Sequence, residues 1–158
     1  MKKIILIIVL FLLLVRGTNM FNKKEIEIID IKYMYLGYST GTMINSNVRY
    51  DLELKDGKYI AEIKPNNISE EDKLTVEIKK EDVQKIKDIL KKYHVGRWNG
   101  FNKSDQNVLD GDSFSFGVRF IDDTSINASG YMMWPVNYGE VEKALDDIFM
   151  NYWNVENK

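Results

Sequence analysis

The sequence predicts an α+β fold, in which about six mostly antiparallel strands form one sheet and two amphipathic helices pack on one face of it. Several stretches alternate apolar and polar residues, as half-buried strands do, and short turn segments connect them. Two other stretches, about 81–94 and 138–153, repeat their apolar residues at helical spacing. The 158 residues of the chain have room for one domain of ordinary size.

The first half of the chain contains the patterns of four strands. Residues 25–35 alternate and are rich in β-branched and aromatic side chains. Residues 48–64 contain two alternating runs on either side of Asp56 and Gly57, a pair that adopts the positive φ angles of a tight hairpin turn. Residues 74–78 alternate again, which predicts a further strand.

The second half of the chain changes between helical and strand-like patterns. Residues 81–94 place their apolar side chains on one face of a helix, with acids at its start and lysines at its end, where they complement the helix dipole. Residues 97–112 are expected to form a loop. Residues 114–120 and 124–131 alternate as strands, and the apolar stripe of residues 138–153 predicts the last helix.

The N-terminal segment differs from the rest of the chain. Lys2 and Lys3 precede an unbroken apolar run, residues 4–15, which is typical of a secretory signal peptide. As a helix this run would span about 18 Å, whereas the hydrocarbon core of a bilayer is roughly 30 Å thick. We therefore predict that residues 1–20 are a signal peptide or short anchor and that residues 21–158 form a single α+β domain. The protein is then exported, either secreted or tethered to a membrane through residues 4–15 if that segment stays uncleaved.

Composition excludes several classes of function. The 22 lysines and arginines include three in residues 1–20, so residues 21–158 carry 19 of them against 24 acidic residues, a net charge of −5. This balance argues against a nucleic-acid partner, because binding to phosphates needs a basic surface. The chain has no cysteine, which excludes disulfides and thiolate metal ligands, and its single histidine, His94, excludes a multi-histidine metal centre. We therefore predict no cofactor and no metal.

One short motif resembles the nucleophile of a serine hydrolase. Residues 37–41 match the pattern G-x-S-x-G, with Ser39 at its centre. That chemistry needs the serine on a strand-to-helix turn and a histidine as its general base. The residues that follow have turn and strand patterns instead, and only His94 is available as the base. We therefore predict no catalytic residue, and a small hydrolase that uses Ser39 or carboxylates is the alternative to a binding module.

An acidic loop is a candidate calcium site. Residues 105–112 contain three aspartates and a glycine, residue types that calcium-binding loops use. Aligned from Asp105, however, the loop has Leu109 at a ligand position and Asp110 where the EF-hand pattern requires glycine. The sequence leaves open whether this loop binds calcium or contains turn residues whose carboxylates accept hydrogen bonds from the nearby backbone.

Aromatic side chains with neighbouring asparagines form the candidate binding surface. They fall in predicted loops and strand ends rather than on the helical stripes. Flat apolar rings beside hydrogen-bonding groups are typical of surfaces that bind a peptide or a carbohydrate. The alternative is that these rings close the open end of the core between sheet and helices. The predicted ligand-binding residues are Trp98, Asn99, Phe101, Tyr131, Trp134 and Tyr138.

Four motifs occur in a distinctive order: W-N-G-F at 98–101, L-D-G-D-S-F at 109–114, A-S-G at 128–130 and P-V-N-Y-G-E-V at 135–141. Together they resemble the C-terminal half of a group of small exported or lipid-anchored bacterial proteins of unknown function. The resemblance covers about residues 75–153 and depends on the order of the motifs. It implies a fold and a compartment but no reaction, and the lipid-anchor cysteine that many members carry is absent from this chain.

The sequence therefore predicts a non-enzymatic exported domain that works at the cell envelope. Its partner would be a protein, peptide or glycan, bound through residues 98–101 and 131–138. A binding module should expose Trp98 and Trp134 on one continuous patch. An enzyme should instead have a cleft with convergent polar groups and acids of perturbed pKa.

Overall fold

The part of the chain that the structure describes, residues 25–41 and 47–157 of a computed structural model, contains seven strands and two α-helices. The α+β class is confirmed. The predicted signal peptide or anchor, residues 1–20, lies outside the described residues. In chain order the elements are β1 (Ile31–Ser39), β2 (Asn47–Lys55), β3 (Lys58–Lys64), β4 (Leu74–Ile78), α1 (Lys80–Lys92), a 3-10 helix (Val95–Trp98), β5 (Phe101–Ser104), β6 (Ser113–Phe120), β7 (Ser125–Tyr131) and α2 (Tyr138–Glu156).

The strands form one mixed sheet in the order β4-β3-β2-β1-β6-β7-β5. Neighbouring strands are antiparallel except at one edge, where β5 runs parallel to β7. The prediction of six, mostly antiparallel strands is therefore wrong: the sheet has a seventh strand and is mixed. The additional strand, β5, falls within the expected loop 97–112. The sequence does not predict it, because its four side chains are mostly exposed and show no alternation of apolar and polar residues.

The first strand begins later than its pattern predicts. The alternation starts at residue 25, but β1 begins at Ile31. The segment before β1 packs on the fold without pairing with a strand. The N–H of Ile26 donates to the carbonyl of Gly96, and the side chain of Ile28 is buried in the core. Its apolar pattern therefore reflects burial without strand pairing.

The hairpin between β2 and β3 is confirmed at the predicted turn. Asp56 and Gly57 have φ angles of 50° and 77°, and Lys55 pairs with Lys58 across the turn. Positive φ at both central residues matches the twist of the flanking strands. The turn thereby fixes the register of this side of the sheet.

Both helices pack against the same face of the sheet. Alternate side chains of the strands are buried there together with the apolar stripes of α1 and α2. Tyr50 of β2, for example, stacks on Phe149 of α2 with 4.7 Å between the ring centroids.

The first helix, α1, ends at Lys92, two residues earlier than predicted. His94 has a left-handed φ of 54°, and there the backbone turns away from the helix axis into the 3-10 helix. Among the described residues, no helix has the length and apolar character that crossing a bilayer requires.

Gly130, near the end of β7, allows the chain to fold back tightly before α2. A Cβ atom there would lie 2.0 Å from the carbonyl oxygen of Met133 and 2.6 Å from Cε1 of Phe114. Such short contacts leave room only for glycine. This close approach fixes the start of the segment that leads from β7 into α2, residues 133–137.

We expect Gly130→Ala to lower the free energy of unfolding by about 2 kcal/mol, because a methyl group forced into a filled site strains its surroundings. Gly139→Ala is the matched control, since within the described part of the chain nothing beyond its own helix backbone and chain neighbours lies within 4 Å of the added Cβ. Alanine is also the better helix former, so this control should be neutral or stabilising by up to about 1 kcal/mol. Urea denaturation measures the free energy of unfolding of both variants. If Gly130→Ala is as stable as the wild type, the close approach at Gly130 is contradicted.

Candidate functional site

The predicted aromatic residues include two that are buried. Trp98 is 3% exposed and Tyr138 is 6% exposed. The Trp98 ring packs edge-on against Phe116 at 5.2 Å, and the Tyr138 ring lies 4.5 Å from that of Phe114. Trp98 and Trp134 therefore do not share one exposed patch, because Trp98 is a core residue. The sequence left open the alternative that these rings close the end of the core, and Trp98 and the ring of Tyr138 are buried in that way.

Trp98 also holds the segment that carries the exposed indole. Its Nε1–H donates to the carbonyl of Val136 at 3.1 Å. Trp134, two residues earlier, is 41% exposed, and its neighbours Met133 and Val136 are exposed as well. A buried ring thus anchors the backbone of residues 133–137, in which Met133, Trp134 and Val136 are exposed and Pro135 is buried.

Tyr131 fastens the acidic loop rather than presenting a free ring. Its hydroxyl accepts a hydrogen bond from the N–H of Gly111 at 2.7 Å. The same hydroxyl lies 3.1 Å from the carbonyl oxygen of Val108 and 2.9 Å from that of Leu109, one of which accepts its proton. Tyr131 therefore determines where the loop before β6 lies.

Asn99 and Phe101 make contacts along the β5 edge of the sheet. The side-chain oxygen of Asn99 accepts from the N–H of Asn127 at 3.2 Å. The Phe101 ring lies 6.1 Å from that of Phe114, and the ammonium of Lys103 lies 5.5 Å from its centroid. These contacts give both residues a role in packing β5 and its preceding turn.

Trp134 and Tyr138 line an open cleft of about 520 Å³ between the end of β1, the start of β6 and the start of α2. Tyr38 from β1 and Glu142 from α2 form other parts of its wall, and Asp112 precedes β6. Of the six predicted ligand-binding residues, the structure thus brings two together in a concave site. The cleft is our candidate functional site.

The hydroxyl of Tyr138 has an unusual environment. It is buried, and it has no hydrogen-bond partner among the described residues. Burial raises the Tyr138 pKa, and the negative charge of Glu142 and the nearby Tyr38 raise it further. A buried polar group without a partner costs about 1–3 kcal/mol, so natural proteins leave few of them. This one belongs to a residue of the cleft wall.

A cluster of tyrosines and carboxylates surrounds the same point. Glu142 is half-buried, and its pKa is raised by burial and by the charge of Asp146. Asp146 accepts a hydrogen bond from the hydroxyl of Tyr50. Burial, together with the charges of Asp146 and Glu142, raises the pKa of Tyr38 to about 12. Acids of perturbed pKa in a cleft are a recurrent feature of functional sites.

The sequence reasoning did not select Tyr38, Glu142 or Asp146. The available pattern was the four-residue spacing of Glu142 and Asp146, which places both carboxylates on one face of α2. Nothing in the spacing indicates that this face meets β1 and β2. The cluster becomes visible only when the sheet order is known.

Ser39 lines the cleft but is not on a nucleophile elbow. It is the last residue of β1, paired with Asn47 and Ser113, and the next described element is the antiparallel strand β2. His94 does not line the cleft, and its Nδ1 lies 3.1 Å from Oε1 of Glu25. The described residues therefore give Ser39 no strand-to-helix turn and no histidine partner in the cleft.

Two carboxylates of the acidic loop accept hydrogen bonds, one from within the loop and one from the residue pair that follows β1. Oδ1 of Asp105 accepts from the backbone N–H of Asn107 at 3.0 Å and from its side-chain amide at 3.1 Å. Oδ1 of Asp112 accepts from the N–H of Gly41 at 3.3 Å. Within residues 25–41 and 47–157, no three acidic or histidine side chains are arranged to hold a metal ion.

No model of a known protein family matches this chain, and no curated protein matches it either. The resemblance to small exported bacterial proteins rests on its four motifs and stays a prediction.

We expect Glu142→Gln to raise the free energy of unfolding at pH 7 by a few tenths of a kcal/mol, a value that allows for solvent screening. Burial and Asp146 disfavour the ionised carboxylate, so the fold binds a proton at Glu142 more readily than the unfolded chain does. The corresponding stability is present below the unfolded pKa, about 4.3, and is lost as pH rises through the folded pKa. Glutamine removes that loss, so the difference between variant and wild type should shrink at pH 4.

Urea denaturation at pH 4 and pH 7 measures this effect. Asp147→Asn removes the same charge from an exposed position of α2 beyond its first turn, so it is the control and should leave the stability nearly unchanged. A Glu142→Gln variant that is less stable than the wild type at pH 7 would show that the carboxylate is favourably placed and would refute this account.

Proposed function

We propose that this chain is a binding module, exported to the cell envelope, that holds a protein, peptide or glycan in the cleft beside Trp134 without changing it chemically. One observation carries the proposal: a tryptophan that is 41% exposed and a tyrosine whose buried hydroxyl has no described partner line the same cleft. The indole offers apolar contact area and the cleft wall offers hydrogen-bonding groups. Ligand sites combine these two properties.

The way in which Trp134 is held supports the proposal. Trp98 fixes the backbone at Val136, and the close approach over Gly130 fixes the start of the same segment. An exposed tryptophan on a rigidly supported backbone loses little conformational entropy when a partner covers it. Such residues contribute a large share of the binding energy in protein interfaces.

Trp134 is proposed as the ligand-contacting residue, and Tyr138 as a contributor through its hydroxyl. Trp98 and Tyr131 act as positioning residues, since they hold the two loops that border the cleft. Asn99 and Phe101 support the edge strand β5. The proposed site thus keeps two of the six residues expected from the sequence, Trp134 and Tyr138, and adds Tyr38, Asp112 and the carboxylates of α2 that line the cleft.

A small hydrolase is the second candidate. One feature favours it: Glu142, an acid with a raised pKa, lies in the wall of the cleft, which is the arrangement expected of an enzyme. A carboxyl group with a raised pKa can act as a general acid or base. The location of Ser39 within a strand argues against its use as a nucleophile, so Glu142 would carry the chemistry of this alternative.

We expect Trp134→Ala to reduce ligand retention at least about tenfold, as the loss of a central aromatic contact does. Ile121→Ala is the matched control, because Ile121 is 53% exposed and follows the far end of β6. The immobilised chain and both variants are incubated with solubilised components of the cell envelope, and the retained species are compared. A ligand that the wild type, Ile121→Ala and Trp134→Ala retain equally would contradict the site, and a ligand recovered in hydrolysed form would favour the second candidate.

The export proposal has its own test. We expect the tagged wild-type chain in the envelope or the medium, whereas Leu10→Lys should remain in the cytoplasm because it interrupts the apolar run 4–15. Cell fractionation with detection of the C-terminal tag measures both. A wild-type product that remains full-length in the cytoplasm would refute export while leaving the cleft untouched.

A further inference from the structure

The cleft beside Trp134 carries negative charge that the described residues do not neutralise. Asp112, Glu140 and Glu142 line it, and none of the described lining residues is a lysine or an arginine. None of the three forms an ion pair with any residue of the described ranges. Elsewhere, acids such as Asp30 and Asp51 are paired, with Lys87 and Arg49.

The helix dipole accounts for only part of this charge. Glu140 lies in the first turn of α2, where negative charge complements the dipole, whereas Glu142 lies beyond that turn. Asp112 comes from the loop before β6, and its carboxylate accepts a hydrogen bond from the N–H of Gly41. That hydrogen bond positions Asp112 but supplies no cation, so the three carboxylates share the cleft wall without a described positive charge.

A second and independent observation marks the same place as a ligand site. Tyr138 is more than nine-tenths buried and lines the cleft, and its hydroxyl lacks a partner among the described residues. Glu142 and Tyr38, which both raise the pKa of that hydroxyl, are also part of the wall. The hydroxyl oxygen can accept a hydrogen bond, as the carboxylates can, so the wall as a whole is suited to a donor.

The exposed indole of Trp134 restricts the chemical class of the ligand further. A lysine or arginine side chain combines an apolar stem with a cationic head that donates several hydrogen bonds. The stem can pack on Trp134 and the head can meet the carboxylates, and a cation over an indole face gains about 0.5–2 kcal/mol. A neutral sugar would use the indole but would leave the three negative charges uncompensated.

We propose that the cleft binds a basic side chain, lysine or arginine, of an extended peptide segment of a partner protein. This inference rests on the proposed function and names its ligand class. Met133 and Val136, exposed on either side of Trp134, continue the apolar surface beyond the cleft and give the residues next to the basic side chain a place to pack. The net charge of −5 on residues 21–158 favours the approach of such a partner.

The test uses the full chain and three defined probes in titration calorimetry. One is an end-blocked peptide in which lysines alternate with leucines, the second is the same peptide with acetylated lysines, and the third is a neutral oligosaccharide. We expect the basic peptide to bind at least about tenfold more tightly than its acetylated form, with an affinity that falls as salt is raised. Asp112→Asn and Glu142→Gln should each weaken it about tenfold.

Asp147→Asn is the matched control, since it removes the same charge from an exposed position of α2 outside the cleft, and it should leave the affinity unchanged. If the acetylated peptide or the oligosaccharide binds as tightly and depends on Trp134, the proposed binding module stands and the basic ligand is refuted. If the basic peptide shows no salt-sensitive binding, the proposal of a basic ligand is likewise refuted. The retention experiment with Trp134→Ala then still decides, on its own, whether the cleft binds another ligand.

Discussion

The contact between the indole N–H of Trp98 and the carbonyl of Val136 joins the core of this protein to its candidate site. The ring of Trp98 is buried against Phe116, so its position is set by the packing of sheet and helices. Its polar edge reaches the one segment that presents an exposed indole, Trp134. The orientation of the cleft wall therefore depends on the core, and a change in core packing at Trp98 would alter the site without touching it.

Local rules of polar satisfaction are broken at the cleft. The Tyr138 hydroxyl is buried without a described partner, and Glu142 is half-buried beside Asp146, a neighbour of the same charge. Both arrangements lower stability, because a buried polar group lacks a hydrogen bond and two like charges lie close together. Residues that cost stability where they stand are expected at places used for binding or catalysis. Energetic cost thus points to the same cleft as exposure and charge do.

The sequence predicts the elements that depend on a local pattern of residues. It does not predict the features that depend on strand pairing or on how deeply a side chain is buried. The hairpin at Asp56 and Gly57 follows from backbone preferences of two residues, and both helices follow from their apolar stripes. β5 escapes prediction because its one neighbour, β7, is distant in sequence and its side chains are exposed. Trp98 and Trp134 look alike in the sequence, since both lie outside the helical stripes. Only the fold buries one and exposes the other, and only the sheet order brings Tyr38 to Glu142.

The face of the sheet without helices provides an internal comparison. There Arg49 donates to both carboxylate oxygens of Asp51, at 2.6 and 2.8 Å, and the hydroxyl of Tyr33 donates to the same carboxylate at 2.5 Å. The guanidinium also lies 5.9 Å from the ring centroid of Tyr35. This network is as rich in tyrosine and charge as the cleft, but its groups satisfy one another. Aromatic and charged residues alone therefore do not distinguish the two places, and the proposal of a site rests on carboxylates without a described cation beside an exposed tryptophan.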